Sequence, residues 1–271
     1  MSLRINTNVE AFNAHRNLSN TSSTLAKSME RLSSGLRINR AADDAAGLAI
    51  SEKLRGQIGG LEQARRNAQD GISLVQTAEG QLTEVHAILQ RVRTLAVQYN
   101  NGTLNSTNQS AINAEVTQLT TELGAIGSRA EFNGTKLLDN TNAITFQVGA
   151  NDGETTVVNA INLATTLASV SGVTDLGTLA TATRLEAIDT AINNVSTARA
   201  NFGAVQNRLE HTLNHLSVYQ ENLSASESRI RDVDMASEMV SFTKNQVLQQ
   251  AGTAILAQAN QASQGVLSLL R

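Results

Sequence analysis

The feature that most constrains this chain is a run of apolar residues over positions 54–99 in which every step is three or four residues. Its members are Leu54, Ile58, Leu61, Ala64, Ala68, Ile72, Val75, Ala78, Leu82, Val85, Leu89, Val92, Leu95 and Tyr99. Such steps place side chains along one face of an α-helix. The run therefore predicts a single helix about 70 Å long. The 271-residue chain contains no proline that would break it.

A second long run occupies positions 185–233 and predicts another helix of about 73 Å. A shorter run, Ile112 to Ile126, follows the Asn100-Asn101-Gly102 stop and predicts a helix that returns along the first one. A compact globule of this length would have a radius of gyration of only about 18–19 Å. The sequence therefore predicts a mainly α fold, an elongated rod of long antiparallel helices.

One region changes to the period of a β-strand. Residues 144–148 alternate apolar and polar side chains, Asn151-Asp152-Gly153 supplies turn residues, and residues 155–158 can form the returning strand. We expect one small β-hairpin at about 140–175.

The two ends of the chain carry narrow apolar stripes. At the N-terminal end Leu18, Leu25 and Leu32 are seven apart, with Met29 and Leu36 in the alternate steps and Ile5, Val9 and Phe12 before them. The C-terminal stripe is Val233, Val240, Val247, Ala251, Ile255, Ala259, Ala262, Val266 and Leu269. Narrow stripes of this kind predict that the N- and C-terminal helices pair as a coiled coil. A helical hairpin packed on an ordinary domain remains the alternative.

Composition excludes several classes of function. Without cysteine the chain has no disulfide, no catalytic thiol and no cysteine-based metal site. A net charge of -3 attracts neither nucleic acid nor an anionic membrane, and we expect no contact with either. The first residues lack the apolar core of a signal peptide, which leaves cytoplasmic residence or an unusual export route.

Enzyme chemistry is the rival interpretation, and the residues do not favour it. His211 and His215 have the spacing of a helical zinc site but lack the glutamate that must follow the first histidine. The pair Asp43-Asp44 and the pair Asp232 with Asp234 suit helix capping and ion pairs. We predict no catalytic residue, no metal site and no cofactor.

Several segments together resemble one family, the bacterial flagellins. They are MSLRINTNVEAFNAHRNL, RLSSGLRINRAADDAAGLAISEKLR, LQRVRTLAVQ, EFNGTKLL, FQVGANDGET and QQAGTAILAQANQASQGVLSLLR. Flagellins commonly insert variable outer domains between the hairpin and the last long helix, and only a short stretch stands there in this chain. The resemblance implies a minimal flagellin that lacks those outer domains.

The resemblance also implies a function and a domain plan. Residues 1–45 and 230–271 would form the inner coiled-coil domain with its connector, and residues 46–229 the helical rod domain. The chain would leave the cell through the flagellar type III system and polymerise into the extracellular filament for motility. A junction protein between hook and filament, which shares the terminal coiled coil, is the alternative.

Partners follow from the same resemblance. They are other flagellin subunits, an export chaperone, the filament cap and hook-junction proteins, and Toll-like receptor 5. The residues that the resemblance implies for polymerisation and chaperone binding are Val240, Val247, Ile255, Val266, Leu269 and Leu270. Those that it implies for receptor binding are Gln90, Arg91, Leu95, Gln98 and Glu115. Arg91 and Leu95 are four apart, so we expect them to project together from one helix face.

Overall fold

The computed structural model describes residues 7–139, 142–168, 176 and 181–269, with the backbone alone at 181–182 and 262–269. The chain forms two compact units. The first unit consists of residues 1–56 with 222–271, and the second consists of residues 57–221. No helix in the described part of the chain combines the length and the hydropathy that crossing a bilayer requires.

Helices dominate, which confirms the mainly α prediction. In chain order the helices are α1 Val9–Ser34, α2 Ala45–Tyr99, α3 Ser106–Arg129, α4 Leu163–Thr166, α5 Thr181–Arg231 and α6 Met235–Leu269. The strands are β1 Glu131–Phe132, β2 Thr135–Lys136, β3 Ile144–Gln147 and β4 Thr155–Val158. Helix α2 has 55 residues and α5 has 51, so both long helices form as single elements.

Helix α2 follows the predicted stripe throughout. Every residue of the run from Leu54 to Tyr99 is buried or half-buried. The helix begins after Asp44, whose Oδ1 accepts a hydrogen bond of 2.8 Å from the backbone nitrogen of Gly47. Asp44 thus fills the capping role that the sequence assigns to this aspartate pair.

Long antiparallel helices build the core of the second unit. Arg93 pairs with Asp189 and Glu79 with Arg199, so residue numbers fall along α2 as they rise along α5. Helix α3 returns along α2 after the loop at 100–105. The buried side chains that hold these helices together include Val75, Leu82, Leu89, Val116, Leu123, Ile188, Val195 and Phe202.

The predicted hairpin is present as β3 and β4. Ile144 lies opposite Val158 and Gln147 opposite Thr155. Hydrogen bonds from the side chain and backbone of Asn151 hold the pKa of the Glu154 carboxyl below its usual value and close the turn.

A second hairpin, β1 with β2, corrects the expectation of a single one. Its turn is Asn133-Gly134, with φ angles of 47° and 77°, and Phe132 lies opposite Thr135. This left-handed pair of residues is the geometry of a two-residue hairpin turn. Strands of two residues are too short to show alternation, which is why the sequence pattern missed them.

In the first unit a short connector links the terminal helices to the long ones. Gly35 ends α1 in the left-handed conformation, with φ 73°, where a residue without Cβ is favoured. The backbone of Arg37 donates to Arg231, and that of Val233 donates to Gly35. Two chain segments distant in sequence are thus joined by main-chain hydrogen bonds.

Candidate functional site

The terminal helices α1 and α6 pair antiparallel. Three contacts along the pair show this direction: Asn8 with Ala259, Leu18 with Gly252, and Arg31 with Glu238. The Asn8 side chain donates to the Ala259 carbonyl at 3.0 Å, and the Arg31–Glu238 ion pair measures 3.6 Å. The predicted pairing of the N- and C-terminal helices is therefore confirmed.

The seam between these helices is narrow and half polar. On α1 the less exposed side chains recur with heptad spacing: Ala11, Ala14, Leu18, Thr21, Leu25, Ser28 and Leu32. On α6 they are Glu238, Phe242, Asn245, Gln249, Gly252, Leu256 and Ala259. Small and polar residues fill many positions that a stable coiled coil gives to leucine or isoleucine. We infer that this pair is only marginally stable by itself.

Part of the predicted seam is wrong. Met29, Val9 and Phe12 on α1 are exposed, as are Val240, Val247, Ala251 and Ile255 on α6. The helical period of the α6 stripe is right, but from Val240 to Ile255 it follows a different face from the one that meets α1, and it reaches the seam at Ala259. Ile5 and Leu270 lie outside the described residues, as do the side chains of Ala262, Val266 and Leu269.

The misassigned stripe is a second apolar face of α6. Its large exposed side chains are Val240, Val247, Leu248 and Ile255, whereas Met235 and Met239 are exposed on another side of the helix near its start. Val240 keeps 70% of its surface exposed, although valine is a residue that folded proteins usually bury. Met235, Met239 and Leu248 were missed by the sequence stripe. A count of large apolar residues on α6, too many for one seam, would have revealed them.

A separate polar cluster lies where α2 faces α3. Nε and Nη2 of Arg91 donate to Oε1 of Glu115 at 2.8 and 2.6 Å. Both side chains remain accessible, and Gln90 and Gln98 are exposed on the same helix as Arg91. Gln90 contacts the ring of His86. The structure thus brings Arg91 and Glu115 together on an accessible surface.

Leu95 does not project beside Arg91, which corrects the expectation from their spacing. Only 2% of Leu95 is exposed, and its side chain belongs to the core between α2, α3 and α5. Although the two residues are one turn apart, the boundary between core and surface runs between them. Any contribution of Leu95 to recognition would therefore act through support of the helix.

A second ion pair near this cluster was not predicted. Arg93 and Asp189 approach to 2.6 Å and join α2 to α5. The hydrogen bond from Arg93 lowers the pKa of the Asp189 carboxyl, and the same bond raises the pKa of Arg93. The carboxylate partner lies 96 positions away, so spacing alone gives no signal for it.

The candidate metal and acid–base residues have ordinary structural surroundings. His211 and His215 are exposed, and within the described ranges no three histidine or carboxylate groups could hold a metal ion. Asp43 accepts from the backbone of Arg40 and Asn39, which lowers its pKa. Asp234 caps the first turn of α6.

These observations define a class of protein. Its terminal helices meet in a weak seam and carry a large apolar face that the described chain leaves open. Exposed apolar surface of this kind marks sites of protein association. The molecule is therefore a helical subunit built to associate with other chains.

Comparisons with known proteins give the family. A profile of the bacterial flagellin N-terminal helical region matches residues 5–143, and one of the C-terminal helical region matches residues 185–270. A flagellin of Bacillus subtilis is 51% identical, covering 99% of this chain and 100% of its own length. A flagellin of Halalkalibacterium halodurans is 54% identical, covering 98% and 99% respectively.

A solved flagellin structure agrees with this assignment, and a second solved structure shares the fold. A crystal structure of Bacillus cereus flagellin is 34% identical and covers 56% of this chain and 88% of its own, with a TM-score of 0.50. A putative flagellar hook-associated protein from Vibrio parahaemolyticus has a TM-score of 0.58 and covers 70% of this chain and 100% of its own. At 15% identity, that second likeness shows the fold alone.

The chain belongs to the bacterial flagellin family. It is a structural subunit of the flagellar filament, outside the cell, and not an enzyme. The near-complete coverage of short relatives agrees with a minimal form without large outer domains. Identity with flagellins over almost the whole chain favours the filament subunit over the hook-junction alternative.

Proposed function

We propose that the second apolar face of α6 is a surface through which subunits hold one another in the filament. In this arrangement residues 1–45 and 230–271 form an inner coiled-coil domain, and residues 46–229 form the rod domain around it. The observation that carries the proposal is the exposure of Val240, Val247, Leu248 and Ile255 on a helix with a weak seam.

The energetics favour this surface as the one that drives assembly. Burying a valine, leucine, isoleucine or methionine side chain contributes roughly 1.5–3 kcal/mol. Each side chain of the face is already partly covered, so each gains only a fraction of that on association. Several such gains in one contact add apolar burial that the half-polar seam does not provide in the free chain.

Filament growth from seeds tests the proposal. Deleting residues 237–271 should abolish growth, and so should the combined change Val240→Ser, Val247→Ser, Ile255→Ser. Serine has a helix propensity close to those of valine and isoleucine, so α6 itself is little affected. Ala257→Ser is the control on the same helix, because Ala257 is exposed but lies on another side from Val240, Val247 and Ile255. Normal long filaments from the triple variant in electron micrographs would rule out this surface.

We infer that an export chaperone covers the same face in the cytosol before type III export, and that the cap and hook-junction proteins contact it at the filament ends. An exposed apolar helix face suits recognition in a groove. Ile255→Asp with Leu269→Asp should weaken chaperone binding in calorimetry, because burying an unpaired carboxylate is costly. Gln250→Asp, at an exposed polar position, is the control. Unchanged affinity in the double variant would place the chaperone elsewhere.

We also propose that Toll-like receptor 5 binds the cluster of Gln90, Arg91, Gln98 and Glu115. What supports this is the accessible guanidinium of Arg91, held by Glu115 in one orientation. A preoriented arginine of this kind has the make-up of an interface hot spot. Leu95, buried beneath, would contribute only by fixing the backbone.

Receptor signalling by purified monomers in reporter cells tests this second proposal. Arg91→Ala should reduce receptor affinity by about 1–3 kcal/mol if the residue is a hot spot. Arg66→Ala is a matched control, because Arg66 lies on the same helix, pairs with Glu62, and has the same 56% side-chain exposure as Arg91. Equal loss in both variants would refute a specific role for Arg91.

Assembly state gives an independent test of the same proposal. In the family this patch is covered between subunits, so monomers should signal and intact filaments should not. Chemically cross-linked filaments that signal as strongly as monomers would contradict it.

A further inference from the structure

The sequence contains two Asn-Gly pairs, Asn101-Gly102 and Asn133-Gly134. We propose that Asn101 is a site of spontaneous deamidation in the folded chain, while Asn133 is protected by its backbone conformation.

The reaction needs no added reagent except water. The backbone nitrogen of Gly102 attacks Cγ of Asn101, forming a C–N bond that closes a five-membered succinimide. The Cγ–Nδ2 bond breaks, the Gly102 amide proton is lost, and the side-chain nitrogen departs as ammonia. Water then opens the ring at either carbonyl and leaves aspartate or isoaspartate. Glycine favours the attack because it has no Cβ to obstruct it.

The loop at Asn101 leaves this attack open. Both residues are exposed, and an added Cβ on Gly102 would meet no atom within 4 Å. Within the described residues, the Gly102 amide makes no hydrogen bond and its φ is outside the left-handed region. In the part of the chain that the structure describes, the Asn101 side chain takes part in a single hydrogen bond, which it accepts at 3.3 Å from the Thr103 backbone nitrogen. The amide can therefore turn toward Gly102 through a small local motion.

The hairpin turn at Asn133 opposes the same reaction. Asn133 and Gly134 both have positive φ, and the turn is closed on either side by the strand pairs of β1 and β2. The ion pair of Lys136 with Glu131 and the bond from Leu137 to Ala130 extend this closure. Ring formation needs Asn133 to leave the left-handed conformation, which requires the hairpin to open.

Deamidation at Asn101 has a defined structural result. It places a new carboxylate just beyond the C-terminal end of α2, where the unpaired carbonyls of the helix already concentrate negative charge. The isoaspartate product also lengthens the backbone by one carbon in the turn that joins α2 to α3. Both changes strain the α2–α3 connection.

Peptide mapping by mass spectrometry after incubation at mildly alkaline pH tests the proposal on the full chain. Asn101 should convert at least roughly tenfold faster than Asn133, because hairpin opening costs free energy that the loop does not require. In concentrated urea the two sites should convert at similar rates, since each is followed by glycine. Gly102→Ala should suppress conversion at Asn101 while leaving Asn133 unchanged.

Two outcomes would overturn it. One is equal conversion of Asn101 and Asn133 in the folded chain. The other is a folded chain in which Asn101 stays intact although it converts readily in urea, which would mean that the loop protects it.

Discussion

Arg91 and Leu95 stand one helical turn apart on α2, and the protein holds them in opposite environments. Arg91 reaches the surface, where its guanidinium meets the Glu115 carboxylate. Leu95 is packed among apolar side chains of three helices. Variants at these two positions therefore report on different properties, recognition for the first and stability for the second.

Leu95→Ala should destabilise the folded chain by about 2–5 kcal/mol, because it removes a buried side chain and leaves a cavity. Arg91→Ala should change stability by about 1 kcal/mol or less, since exposed ion pairs contribute little. Urea unfolding of both variants measures the difference. An unfolding midpoint for Leu95→Ala equal to that of the parent chain would show that the site collapses without cost.

The Arg93–Asp189 pair gives a prediction for acid stability. The pKa of Asp189 is lowered in the folded chain, so its contribution is present above the unfolded value near 3.8 and is lost as pH falls through the lower folded value. Asp189→Asn should therefore lower the thermal midpoint at neutral pH and have no effect below the folded pKa.

Thermal melts of the parent and variant at neutral and strongly acidic pH make the comparison. Asp70→Asn is the control, because Asp70 is an exposed carboxylate on α2 without an ion pair in the described structure. A constant difference between parent and Asp189→Asn at every pH would mean that the charge of Asp189 is not what stabilises the fold.

Among the elements, α2 and α5 were predictable and the α6 seam was not. A stripe of large apolar residues at steps of three and four marks the buried face of a helix when the opposite face is polar, as on α2. Helix α6 carries more than one such face, and its intrachain seam uses Asn245, Gln249 and Gly252, which a hydrophobic pattern passes over. The position of that seam depends on how α1 packs against α6, and the residues of α6 alone do not determine it.

The candidate receptor-binding residues likewise have features that the sequence pattern predicts and contacts that it does not. The α2 stripe itself contains Leu95 and omits Arg91, so the pattern already assigns the first to the core and the second to the outside. The pairing of Arg91 with Glu115 becomes visible only when α3 folds back along α2. The domain boundaries drawn from sequence stay a prediction.

The polar seam leads to a prediction for the helix pair. Gln249 lines a cavity of about 500 Å³ together with His15, Leu18 and Ser22. Gln249→Leu should strengthen the pair by placing an apolar side chain where α1 and α6 meet, with roughly 1 kcal/mol gained if it packs well. Thermal melts of the monomer, followed by far-ultraviolet circular dichroism, would detect the gain.

Gln250→Leu supplies the control, since Gln250 is exposed one position further along the same helix. Both substitutions change helix propensity equally. If the two variants melt alike, the α1–α6 seam does not limit the stability of the pair.

At the scale of the whole molecule, the two units differ in what holds them. The second unit has an extensive core of large apolar side chains. The first has the thin α1–α6 seam and exposes apolar residues that association would cover. Local stability follows buried apolar contact, so the units should open with different free energies.

Limited proteolysis of the free subunit should therefore cut the first unit well before the second. Arg31 in α1 and Arg199 in α5 are a matched pair of trypsin sites, because both lie within helices, form an ion pair and have a side-chain exposure of 33%. Since accessibility is equal, a difference in rate reports how readily the helix around each site opens. Time-resolved mass spectrometry should show early cleavage after Arg31 and a resistant fragment within 57–221, and assembly into filaments should slow the early cuts. Cleavage after Arg199 as fast as after Arg31 in the free subunit would mean that the α1–α6 pair is no weaker than the core.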